Sequence, residues 1–189
     1  PNELLRTASR THSQWMLDND VFSHTGAGGS DPGDRMEAAG YAFTGSWTWG
    51  ENLSWRGTSG TVDVESFVHA QHQGLFLSEG HRTNTLNASF REIGVGTLTG
   101  TFSTGGTDWN AQMTSLGFAR SGNSIFVTGV IYTDSDDDSF YGIGEGRGAV
   151  GVTARTAGSV ADTDSSASSG GYAVALAGAA TDAELTFSG

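Results

Sequence analysis

The sequence predicts an α+β domain followed by a small β module. Three observations carry that expectation. Apolar residues recur at helical spacing through roughly the first 90 positions. The period then changes to two, which is the spacing of strands. Past about residue 133 the chain turns to Gly, Ala, Ser and Thr, with no Trp. The expected division is therefore 1–133 and 134–189.

Leu4, Leu5, Ala8, His12, Trp15 and Met16 form one stripe and predict a first helix. Gly26, Gly28 and Gly29 then open a loop. Ser30-Asp31-Pro32 reads as a helix cap followed by Pro in the first turn, with Gly40 as the stop. Residues 44–60 read as a Gly- and Trp-rich loop. A second long helix is expected from about Val62 to Leu77, with Val64, Phe67, Val68 and Leu75 on its buried side. A short helix is expected over His81–Leu86. Ile93–Phe102, Met113–Ala119 and Ile125–Tyr132 read as three strands, with a turn at Gly105-Gly106. Helices followed by such a meander suggest a layered arrangement.

Composition excludes several functions. All 9 positive charges are Arg, and 21 acids leave a net charge of -12. Such a surface repels phosphate backbones, so nucleic acid is not an expected partner. No apolar run is long enough for a spanning helix, so no transmembrane segment is expected. Cys is absent, which removes disulfides, thiolate metal sites and thiol catalysis together. No leader is evident, and the opening at Pro1 reads as that of a mature or trimmed chain. Neither a G-x-S-x-G elbow nor a phosphate-binding glycine loop is found.

Three polar residues sit at loop-to-element junctions. His24 lies in Phe22-Ser23-His24-Thr25-Gly26, Glu51 in Gly50-Glu51-Asn52-Leu53, and His81 in Ser78-Glu79-Gly80-His81-Arg82. Two imidazoles and a carboxylate would suit a divalent ion such as zinc, with positions left open for water. On residue type alone, the two His equally suit hydrogen bonds to loop backbone. By helical projection His72 falls at the edge of the buried side of its helix. It either reaches the cleft or bonds a neighbour there. His69 projects toward solvent, and His12 reads as a core-edge imidazole with a backbone partner. Trp47, Trp49 and Trp55 flank Glu51, and either line a cleft wall or anchor the loop by burial.

Taken in order, these runs, together with Asp34-Arg35-Met36, Ala39-Gly40-Tyr41, Asn84 and Ile93-Gly94-Val95-Gly96, resemble the CAP superfamily of cysteine-rich secretory, antigen 5 and pathogenesis-related proteins, in its bacterial, cysteine-free form. The resemblance covers most of residues 1–133. It implies an α-β-α sandwich with a central antiparallel sheet and a large open cleft. It also implies that His24, Glu51 and His81 correspond to three of the four cleft residues, which in some members hold zinc or another divalent ion. The second Glu of the family pattern has no clear counterpart; Glu65 and Asp63 are the acids near the second long helix.

The stretch after Tyr132 has its own pattern. With Asp134 as position 1, Asp136 is 3, Asp138 is 5, Phe140 offers a carbonyl at 7, and Glu145 is 12. That is the oxygen spacing of an EF-hand-type calcium loop, although Ser139 stands where Gly is usual and a strand precedes it. The segment beyond resembles the small β-sandwich modules of bacterial adhesins and carboxypeptidase regulatory-like domains, and either ends or is cut short at Gly189. The expected protein is secreted or cell-surface. Its cleft would bind a small-molecule, lipid or peptide ligand. Metal-dependent hydrolysis, with Glu51 as ligand or general base, is the alternative.

Overall fold

The computed structural model describes residues 1–178 and 180–189. They form two compact units, Pro1–Gly122 and Asn123–Gly189.

The first unit is built on three antiparallel strands in the order β1-β3-β2: β1 is Thr48–Thr58, β2 Glu92–Thr104 and β3 Thr107–Arg120. β2 and β3 join through Gly105-Gly106, both at positive φ (60° and 77°), in a two-residue hairpin that only residues tolerant of the left-handed region can make. Successive side chains alternate between the faces of the sheet. Leu53, Ala111, Met113, Phe102 and Ala119 face helices α1 (Glu3–Asp18) and α2 (Pro32–Ala38), where they pack with Leu5, Met16, Leu17 and Met36. All three Met of the chain lie in this core, at 2% exposure or less. Asn52, Gln112 and Thr114 face the opposite way, toward α3 (Val64–Leu77) and α4 (Glu79–Thr85). Helices on both faces make this an α-β-α sandwich, as the CAP resemblance implies.

α1 begins at Asn2, whose carboxamide oxygen accepts the amides of Leu4 and Leu5. It lies unusually close to β2. A Cβ built on Gly94 would fall 2.1 Å from the carbonyl carbon of Leu5, and one on Gly96 would fall 2.3 Å from that of Ser9. Ser9 and Ser13 hydroxyls donate to the Gly94 and Gly96 carbonyls at 3.2 and 2.8 Å. The Gly-x-Gly of β2 is thus the surface on which α1 rests. α2 opens with a reciprocal capping box between Asp31 and Asp34.

Three sequence expectations are corrected. The expected loop at 44–60 contains an 11-residue edge strand, β1, paired along its full length with β3. Its glycines admit aromatic neighbours: a Cβ on Gly50 would fall 2.7 Å from the Phe90 ring, and one on Gly57 2.8 Å from Trp109. The expected boundary near 133 lies instead at 122/123. Ile125–Val130 (β4) does not extend the meander but pairs with Gly171–Leu176 (β7), from Ile125↔Leu176 to Val130↔Gly171. Strand periodicity does not name a strand's partner. α3 also turns a different side inward, burying Phe67, Gln71 and Leu75 at i, i+4, i+8 and leaving Val64 and Val68 half exposed.

The second unit has the β4–β7 pair and a second sheet ordered β6-β5-β8, with β5 at Gly151–Thr156, β6 at Ser159–Ser165 and β8 at Glu184–Ser188. Val152, Ala154, Val174 and Leu176 form its core.

Candidate functional site

His24 stands in the loop between α1 and α2, with 59% of its side chain exposed. Its ring is bonded at Nδ1 to Glu51 Oε1 at 2.8 Å. A carboxylate only accepts, so Nδ1 carries the hydrogen, and Nε2 has no protein partner among the described residues. Glu51 projects from β1 toward α2 with 5% of its side chain exposed. Its other oxygen accepts Arg35 Nη2 at 2.7 Å. Arg35, 12% exposed, also donates through Nη1 to the carbonyls of His24 (3.1 Å) and Ser30 (2.9 Å). One guanidinium therefore holds both the backbone of His24 and the carboxylate that orients its ring.

His12 completes the clamp from α1. Its Nε2 donates to the Ser23 carbonyl at 2.9 Å, one residue before His24, while its buried Nδ1 lacks a partner. Burial, reinforced by the Arg35 charge, pushes its pKa below the usual imidazole value. This imidazole serves the backbone, as its place in the stripe suggests.

His81 does not join this group. Glu51 and Asn52 point to opposite faces of β1, and Asn52 holds the His81 carbonyl at 2.9 Å on the α4 side. The His81 ring is bonded at Nδ1 to Ser78 Oγ at 2.8 Å. The ligand atoms of His24, Glu51 and His81 do not gather within 4.8 Å of one another. The donor set does not fit the three-ligand zinc site expected from the sequence. Glu65 is exposed in the first turn of α3, where it supplies no fourth ligand to that set.

His72 lines a cavity that His24 does not line. That cavity measures about 260 Å³ and lies between α3 and the sheet. Val68, Leu75 and Phe76 form its helical wall, and Val95, Leu116 and Phe118 its floor. The one amide there, Gln71, is already bonded to Gln112 and Thr114. The three tryptophans divide: Trp49 packs against Gly33, Trp55 meets Phe102 edge-on at 4.8 Å, and Trp47 is 53% exposed.

In the second unit Asp134, Asp136 and Asp138 bring carboxylate oxygens within 4.8 Å of one another. Asp134 also accepts the amides of Asp138 and Ser139 at 3.2 and 3.0 Å, folding the loop around itself. Glu145 lies outside this trio. Its two oxygens accept the amides of Ser135 and Gly142, both at 2.7 Å, and those bonds lower its pKa.

The sandwich and the ordered motifs along it define a CAP-type domain. A sequence profile described as "CAP: Cysteine-rich secretory protein family" matches residues 1–109, and the chain belongs to this family. "Uncharacterized protein YkwD" of Bacillus subtilis (strain 168) is 36% identical over 95 residues, which are 50% of this chain and 33% of that protein. "Uncharacterized membrane protein YlbC" of the same organism is 32% identical over 85 residues, 45% of this chain and 21% of that one. A solved structure of an extracellular protein containing a SCP domain, from Bacillus anthracis str. Ames, aligns at 28% identity with a TM-score of 0.46, covering 62% of this chain and 32% of the other. The chain thus spans a third or less of the length of each. No helix among the described residues is long and apolar enough to cross a membrane.

Proposed function

We propose that this chain acts outside the cell as a ligand-binding CAP domain, and that its ligand is a small apolar molecule seated between α3 and the sheet. The cavity beside His72 is the observation that supports this reading. Its walls are mostly aliphatic and aromatic, with Thr85, Thr97, Thr114 and His72 among them, and its amide is already satisfied, so an apolar body fits better than a peptide backbone. At about 260 Å³ it suits a ligand of modest size. The secretory character of the family and the acidic, lysine-free composition support an extracellular setting. Hydrolysis finds less support, because both oxygens of Glu51 are engaged and no set of donors is gathered around it. The test is titration with N-phenyl-1-naphthylamine, an uncharged apolar fluorophore. Saturable enhancement is expected, weakened about tenfold or more when Val68→Trp or Val95→Trp fills the space. Undiminished binding by both variants would remove the cavity from consideration.

A second site is proposed in the other unit: the loop from Asp134 to Glu145 takes calcium. The three gathered Asp carboxylates, at positions 1, 3 and 5 of the spacing, support it. Glu145 serves there as the brace of the loop. Millimolar calcium is expected to raise the melting temperature of the wild type by several degrees, on the order of 5 °C. Asp136→Ala should abolish the rise, and a flat response in the wild type would dismiss the site.

A further inference from the structure

A different concave surface of the first unit combines two chemistries that meet in few ligands. Asp31, Asp34 and Glu37 line one part of a cavity of about 250 Å³, and Phe43, Trp47 and Trp49 line the rest. The acids recur every three residues along α2 and its cap, which puts them on one side of that helix. The capping box uses one oxygen of Asp31 and one of Asp34. The other two oxygens, and both of Glu37, have no protein partner among the described residues. None of the three acids forms an ion pair there, since the basic residue of α2, Arg35, is committed to Glu51. The chain has no Lys to supply a flexible cation.

Of the three rings, Phe43 and Trp49 pack in part against the core around Leu5, Met36 and Tyr41, while Trp47 stays largely in solvent. The rings of Phe43 and Trp47 lie 5.2 Å apart at 47°. Trp49 rests against Gly33, where a Cβ would fall 2.5 Å from its Nε1, so Gly33 opens the space that the indole occupies. Trp47 leaves 53% of its surface in water, so burial alone does not account for it. Aromatic faces carry negative quadrupole and attract cations that shed water easily. Carboxylates add full charge. Small inorganic cations hold their water too tightly to use ring faces, whereas an alkylated ammonium presents charge beneath an apolar skin.

We infer that the cavity between α2 and the Phe43–Trp49 segment is a binding site for quaternary ammonium groups of the choline type. It shares no residue with the apolar cavity beside His72, and it stands whether or not that cavity binds.

The test is titration of the full chain with choline, followed by tryptophan fluorescence and by the indole N–H resonance of Trp47. Saturable binding on the order of 1 mM is expected. The uncharged isostere 3,3-dimethyl-1-butanol should bind at least about tenfold more weakly. Trp47→Ala should weaken choline binding about tenfold with an unchanged melting temperature, and Trp47→Phe should retain most of it. Sedimentation with phosphatidylcholine vesicles, set against phosphatidylglycerol vesicles, distinguishes a lipid headgroup from a free solute as the source. Binding of free choline, or selective sedimentation with phosphatidylcholine that choline reverses, supports the site. Absence of both, equal binding of the isostere, or full binding by Trp47→Ala overturns it.

Discussion

Gly96→Ala is expected to destabilise the first unit by about 3 kcal/mol, measured by urea denaturation. The added methyl would stand 2.3 Å from backbone atoms of Ser9 and Arg10, which cannot rotate away. α1 would have to lift from β2, loosening Leu5, Met16 and Leu17 together and breaking the Ser13 bond to Gly96. The backbone of Gly96 is not in the left-handed region, so strain in φ plays no part. In an open site the same change would be mildly favourable, by roughly 0.5–1 kcal/mol, because alanine has fewer unfolded conformations. Gly100→Ala is the matched control. Its Cβ would meet the flexible Cδ1 of Leu17 at 3.2 Å, and a loss below about 1 kcal/mol is expected. Equal losses at the two positions would show that the close approach of helix and strand is not what requires glycine.

Arg35→Met should cost a similar amount, about 3 kcal/mol, for an electrostatic reason. Removing the guanidinium strands a carboxylate with only 5% of its side chain exposed, and removing one partner of a buried pair is the expensive way to break it. The carbonyls of His24 and Ser30 lose their donor as well. Arg35→Met combined with Glu51→Leu should recover much of the loss, since no buried charge is then left alone. A single-variant cost below about 1 kcal/mol, or a double variant no better than the single, would mean that water reaches Glu51 freely.

The elements legible in the sequence are those whose cause is local. The α1 stripe, the α2 cap and the Gly-Gly hairpin each follow from neighbours within a few residues. β1 was obscured because its glycines and tryptophans answer to Phe90 and Trp109, which are distant along the chain. Its alternation of Trp49, Glu51, Leu53 and Trp55 was nevertheless the signal of a strand. β4 reads as a strand, and is one, but its partner is distant along the chain: Val130 and Gly171 are 41 positions apart, and Ile125 and Leu176 are 51 apart. Nothing in the spacing of a strand encodes that choice. At the site, the sequence groups His24, Glu51 and His81, of which the structure bonds His24 to Glu51, while Arg35 stands within a family motif with no role assigned to it. The missing inference was electrostatic: a buried carboxylate calls for a cation, and the chain has few. His81 failed for a geometric reason, since adjacent residues of a strand face opposite ways and Asn52, not Glu51, looks toward α4.

The burial of Met16, Met36 and Met113 has a chemical consequence. With no cysteine in the chain, these three thioethers are its entire complement of sulfur, and packing holds each at 2% exposure or less. Peroxide and hypochlorous acid attack sulfur first, and a shielded thioether reacts only when the surrounding structure opens. The folded chain therefore keeps all of its sulfur from oxidants, and sulfoxide formation becomes a clock for the opening of its first unit.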